Sequence, residues 1–195
     1  MVASASQNGF IVDQEPFDSL KLEGTINTYR IGADWRYDRG RFANWRASAA
    51  YVAKTSELTA LGTLTVADDS FNLIELESAV DRIDVVYKGV DQATAKVRIG
   101  TGGQFTNDNQ YEPSFTIFEA RYTRAQVLSD TQTLVLRVRG QSTDKSISPL
   151  EQFSLAGPDA VRAYPVGQLL RHTGQFASLE YQVQAPGFAR SPGPF

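Results

Sequence analysis

The 195-residue chain contains no cysteine and a single histidine, His172. The first absence excludes a disulfide framework and every thiolate metal site; the second excludes metal motifs that need paired imidazoles. It also leaves one base for any serine or threonine nucleophile, and nothing around His172 assembles a triad. Charge of one sign is lacking too: 19 basic against 22 acidic residues give a net charge of -3, so no basic footprint exists and no nucleic-acid partner is expected. No run approaches the roughly 18 apolar residues of a membrane helix. The mean hydropathy of -0.29 therefore reads as soluble at first sight. A membrane β-barrel reads the same way, because half of its residues face water inside. The first twenty residues lack the basic, then apolar, then small-residue pattern of a secretory leader. Taken literally that is a cytosolic protein; taken as a fragment, the compartment is not recorded at this end. Asp68-Asp69 and the Glu75, Glu77 pair have neither a third ligand nor a binding loop, and Gly100-Thr101-Gly102-Gly103 is not followed by a phosphate-loop lysine. No catalytic residue, metal or cofactor is expected, and the chain reads as something other than an enzyme.

What the chain does have is alternation. In 29–38 the odd positions are Tyr29, Ile31, Ala33, Trp35 and Tyr37, and the even ones Arg30, Gly32, Asp34, Arg36 and Asp38. Period two is the signature of a strand with two unlike faces. After a short link at 38–41 it resumes with Ala43, Trp45, Ala47, Ala49 and Tyr51, which predicts a hairpin. Further strands are predicted through Ile83, Val85 and Tyr87; Ala95, Val97 and Ile99; Phe118, Ala120 and Tyr122; Leu134, Leu136 and Val138; and Ala177, Leu179, Tyr181 and Val183. No segment competes as an amphipathic helix.

The apolar faces must meet some apolar medium. In a soluble sandwich they meet each other, with strands of about five to six residues and a core of branched aliphatics. These runs are longer, and their apolar faces are rich in Trp, Tyr and Ala with aromatics near the ends, which suits a lipid-facing band bounded by aromatic girdles. The opposite faces carry Arg30, Asp34, Arg36, Lys96, Arg98, Glu119, Arg121, Arg137, Arg139 and Glu180, a mixture that suits a hydrated lumen. Arg137, Arg139 and Glu180 are candidate lumen charges, with Glu180 a local partner for the basic residues. Short links at 38–41, 89–92 and 128–131 contrast with long polar ones at 55–70, 102–113 and 142–174, as turns and loops contrast at the two ends of an outer-membrane barrel. The rival from a different class is a soluble β-sandwich binding module, which would bury Trp35 and Trp45. A lipid-facing belt would expose both.

The longest connection is unusual. Ser148-Pro149-Leu150-Glu151-Gln152-Phe153-Ser154-Leu155-Ala156-Gly157-Pro158 and Val161-Arg162-Ala163-Tyr164-Pro165 are too apolar for a solvated loop, and a loop of this length is functional or disordered. The physical reading is that it folds back inside, burying Phe153, Leu155, Val161 and Tyr164. Arg162 would then need an acidic partner, since an uncompensated, partly buried guanidinium is costly.

On these residues, with Gly167 and the strand Ala177-Ser178-Leu179-Glu180-Tyr181, the sequence resembles the outer-membrane transporters of bacterial two-partner secretion, the ShlB/FhaC/HecB-type hemolysin secretion/activation family. Asp81-Arg82-Ile83-Asp84 and Gly89-Val90-Asp91-Gln92-Ala93 agree with it. The resemblance implies an all-β fold, part of a transmembrane antiparallel barrel that has sixteen strands in the family and follows periplasmic POTRA domains. It implies a lumen-loop motif of Phe153, Gly157, Val161, Arg162, Tyr164 and Pro165, in which Arg162 pairs with an Asp on a later strand. Ala156 and Ala163 stand where glycine is usual. The partners implied are a large secreted exoprotein of hemolysin or adhesin type and outer-membrane lipid. The expected organisation is an N-terminal segment over 1–24, a partial barrel over 25–188 with its lumen loop at about 145–174, and a Pro/Gly-rich tail over 189–195.

Overall fold

The computed structural model describes residues 1–12, 22–106, 110–157, 160–161, 163 and 169–184. Ten strands fall in them: β1 (Val2–Val12), β2 (Leu22–Arg39), β3 (Ala43–Ala60), β4 (Leu64–Asp84), β5 (Gly89–Gln104), β6 (Thr116–Ser129), β7 (Gln132–Thr143), β8 (Phe153–Ser154), β9 (Leu170–Arg171) and β10 (Gly174–Val183). One short 3-10 turn, Pro149–Glu151, lies between β7 and β8. Eight strands form one antiparallel sheet in the order β1-β2-β3-β4-β5-β6-β7-β10, and β8 with β9 forms a two-stranded piece in the long loop. The strands of the large sheet keep sequence order, with only β8 and β9 of the long loop set aside between β7 and β10, so it is an up-and-down meander. The end strands β1 and β10 do not pair with each other, and the sheet is a barrel wall that is not closed. It begins at Val2, inside the segment whose role the sequence left open.

Alternation sets the register. Trp35 lies opposite Ala47, Ala47 opposite Ser78, Ser78 opposite Ala95, Ala95 opposite Ala120, and Ala120 opposite Gly140. One row beyond, Leu76, Val97 and Phe118 are aligned. This face carries Tyr29, Ile31, Trp35, Trp45, Tyr51, Leu76, Phe118, Leu179 and Tyr181, all exposed. Trp35 at 54% and Trp45 at 46% exposure overturn the sandwich alternative, whose core would have enclosed them. The other face holds the charges, and bulges at Arg36/Asp38, Leu58/Thr59, Asn72/Leu73 and Val127/Ser129 add the local twist and bend a curved wall requires.

Turns at 40–42, 85–88 and 130–131 lie at one end of the sheet, and 61–63, 105–115 and 144–173 at the other. Two expectations are corrected here. The span 55–70 is not a polar loop: β3 and β4 run on to a three-residue turn, closed by the Thr63 amide donating to the Ala60 carbonyl at 3.2 Å, with Leu61 and Gly62 at φ 53° and 72°. Strands of 18 and 21 residues far exceed the roughly 9–11 that cross a bilayer, so their far ends are wet on both faces and lose the alternation that marks a strand. The strand through Ile83, Val85 and Tyr87 likewise ends at Asp84; Val85–Lys88 is the turn, and 89–92 belongs to β5. Asp84 stops the strand by accepting the Tyr87 amide on its side chain at 3.1 Å, a local bond that competes with the ladder.

The buried core lies on the charged face, toward the long-loop end. Val52 and Ala50 of β3, Phe71 and Leu73 of β4, Ile117 of β6, Phe105 and Phe115 of the β5–β6 loop, and Ile147 of the long loop pack together, with Tyr111 and Leu150 against them. Phe71 meets Phe105 at 5.7 Å and Phe115 edge-on at 6.3 Å between ring centres.

Candidate functional site

The long loop leaves β7 at Thr143 and turns inward, so that Ile147, Ser148 and Glu151 are fully enclosed. Pro149 starts the 3-10 turn, and Ser148 caps it by accepting the Leu150 amide on Oγ at 3.4 Å. The turn delivers a carboxylate to the barrel wall. Glu151 is fully buried, and its two oxygens accept from Lys54 of β3 and Arg98 of β5. Arg98 also binds Glu119 of β6 at 2.8 Å and Gln141 Oε1 at 3.1 Å. The Gln141 amide in turn donates to the Glu151 carbonyl at 2.9 Å and to the His172 carbonyl at 3.1 Å, so one buried side chain joins the inward and outward limbs of the loop. His172 accepts the Ile147 amide on Nδ1 at 3.2 Å, which a neutral ring with its proton on Nε2 allows. His172 is thus half-buried and structural.

A second anchor follows immediately. Phe153 is buried with Arg139 of β7 over its ring at 4.9 Å, and Arg139 lies over Phe176 of β10 at 5.6 Å. The guanidinium also donates to the Ser154 carbonyl at 2.5 Å. Gly174 makes the room: a Cβ there would stand 2.4 Å from the Phe153 ring. Beyond it, Gly157 turns at φ 111°, with Ala156 bridged to Val161. Val161 is 37% exposed rather than buried, and Leu155 is half-buried. Arg162, Tyr164 and Pro165 lie outside the described residues.

Around the loop's seat the wall is a mesh of opposite charges. Glu75 accepts from Arg30 and stands 3.4 Å from Lys96, which binds Glu77 at 3.0 Å. Arg121 binds Glu119 at 2.6 Å, and Arg137 binds Glu180 at 2.6 Å, joining β7 to β10 as strand parity anticipates. Of the candidate lumen charges, Arg137 and Glu180 therefore meet each other, while Arg139 holds the loop. Lys54, Arg98, Gln141 and Glu151, the centre of the site, were not singled out from the sequence. Their signal was there in part, since Arg98 sits on the polar face of its strand and Glu151 is the carboxylate amid the apolar residues 147–157. Among the described residues no cluster of three or more His, Asp or Glu side chains stands ready to hold a metal ion.

No family model matches the chain. It is 23% identical over 191 residues to the heme/hemopexin transporter protein HuxB of Haemophilus influenzae strain Rd, covering 90% of this chain and 32% of HuxB. The HuxB of strain 86-028NP is 22% identical over 188 residues. The fold superposes on CdiB from Acinetobacter baumannii with a TM-score of 0.63 at 18% identity, covering 94% of this chain and 33% of CdiB. The open sheet is thus a barrel wall similar in fold to that of CdiB. This chain spans about a third of the length of these relatives. The exposed aromatic and aliphatic face of this sheet is the kind that an outer-membrane barrel presents to lipid. In an outer-membrane barrel, short turns such as 40–42, 85–88 and 130–131 belong to the periplasmic end, and a long loop that turns inward starts from the cell surface.

Proposed function

We propose that this chain supplies part of the pore wall and the lumen loop of a transporter that passes a large secreted protein, unfolded, through the outer membrane, with no enzymatic step of its own. The observation that carries the reading is the Glu151 clasp: an extracellular loop folded inside a lipid-belted wall and fastened there by buried charge. A loop tied down in this way guards a conduit. The likeness to HuxB and CdiB supports transport as the class of activity. The passenger is an exoprotein of hemolysin or adhesin type, and selection of it belongs to periplasmic domains outside this sequence. Arg162, Tyr164 and Pro165 belong to the lumen-loop motif of this reading, in which Arg162 is expected to pair with an acidic residue of a further strand.

The test is secretion. Deleting the gene is expected to abolish release of the cognate exoprotein into the medium, and the full-length protein carrying Arg162→Ala is expected to restore little of it. Unchanged release from the deletion strain would remove the transport reading, and full release with Arg162→Ala would remove the role of that arginine.

A further inference from the structure

The clasp is asymmetric in a way its structural role does not require. Glu151 is wholly enclosed, with its side chain 0% exposed, whereas the cations that hold it keep an open side: the Lys54 side chain is 21% and that of Arg98 13% exposed. Arg98 already takes two carboxylates at once, Glu151 and Glu119. An anion arriving from the lumen therefore reaches Lys54 and Arg98 before Glu151 has left them. Pulling the loop out with nothing in exchange would strand the partly buried Lys54 and leave Arg98 with Glu119 alone, the costly way to break such a cluster. Exchange avoids that cost, because each cation keeps a carboxylate throughout.

We propose that Glu151 is the releasable anchor of the lumen loop, and that it leaves Lys54 and Arg98 by exchange with aspartate or glutamate side chains of the polypeptide in transit. The inference rests on the transport reading above and adds the chemistry of what opens the pore. Glu151 is a positioning residue: it acts through the loop it seats. The partner is an unfolded segment bearing acidic side chains; no covalent step is involved.

These 195 residues hold no cysteine, so in a full-length protein freed of any cysteine elsewhere a single introduced thiol is the reporter. Ser148→Cys is close to isosteric at a fully buried position and is expected to resist a membrane-impermeant maleimide in the full-length protein. Adding Glu151→Gln is expected to raise its labelling rate about a hundredfold, as loss of a buried charge partner allows. No increase would overturn the anchor. Glu151→Met with Lys54→Met replaces the pair by apolar side chains and leaves Arg98 on Glu119. That variant is expected to keep the cysteine protected yet secrete poorly, since nothing remains to exchange. Secretion at the unaltered level would show the charges to be structural only and overturn the proposal.

A second arm leaves the transporter untouched. A passenger whose Asp and Glu are replaced by Asn and Gln over its leading segment is expected to appear outside the cell about tenfold more slowly, while its binding to the periplasmic portion is unchanged. An equal rate would overturn the exchange step. If the deletion strain secretes the unaltered passenger normally, the transport reading fails; if it does not and the neutralised passenger still passes at full rate, only the exchange fails.

Discussion

Phe153 and Gly174 are a matched pair, one ring and the space left for it. Gly174→Ala puts a methyl group against the Phe153 ring and is expected to cost about 1–3 kcal/mol, as overpacking does. Phe153→Ala empties the same place, removes the Arg139 stack, and is expected to cost about 3–5 kcal/mol. The two substitutions share one contact, so their costs should not add; heat-modifiability of the folded band on unboiled gels measures both, and strict additivity would argue against the packing described. Phe153 was legible in the sequence, since an aromatic in a Gly- and Pro-containing loop needs burial. Glu151 was not. A carboxylate in an apolar stretch declares itself only once its cations are known, and those come from β3 and β5, 97 and 53 residues away.

At the scale of the element, the strands were legible where each face met one medium and illegible where both faces were wet. The lipid-facing rows through Trp35, Ala47 and Ala120 repeat every second residue and were read correctly, whereas 55–70 was mistaken for a loop because no face there needs to be apolar. The corrected topology makes a prediction. An epitope inserted at Gly62 is expected to be tolerated and to bind antibody on intact cells, and one inserted at Asp130 to bind only after the outer membrane is permeabilised. The reverse pattern would invert the orientation. The lipid face predicts too: Leu76→Arg, in the middle of the band, is expected to destabilise by about 2–4 kcal/mol, and a charge at Leu64, beyond it, by close to nothing, read from urea unfolding in detergent. Outside the membrane, the Lys145 ammonium donates to Glu112 at 2.7 Å, and this bond, with the Glu112 charge, holds its pKa above the ordinary lysine value. A raised pKa gives stability that is complete below the ordinary lysine range and is lost as pH rises through the raised value. The tie between the β5–β6 loop and the long loop should therefore survive neutral and mildly alkaline buffer and loosen only in strong alkali. Amide exchange at Glu112, whose N–H donates to the Ser146 carbonyl at 2.9 Å, reports it; loosening near neutrality would show that the pair does not hold the loops.

For the whole molecule the deciding quantity is the unpaired edge. Each interior strand of the eight satisfies its backbone on both sides, while β1 and β10 each have one partner among the described residues. In water an edge strand is a template for another chain, and in lipid its free amides and carbonyls have nothing to bind. The charged face compounds the problem, because Arg36 of β2 and Arg46 of β3 lie directly opposite each other as like charges. The 195 residues alone, refolded in detergent, are therefore expected to associate edge to edge and to scatter light as a species of at least twice the monomer mass. Proline at alternate positions along the free edge of β10 should reduce that association, since proline removes the donor that pairing needs. A folded, protease-resistant monomer with protected amides on β1 and β10 would mean that the two strands find each other and close a small barrel. In that case Glu151, Lys54 and Arg98 would line a filled interior, and the same clasp would serve as a core with no passage beside it.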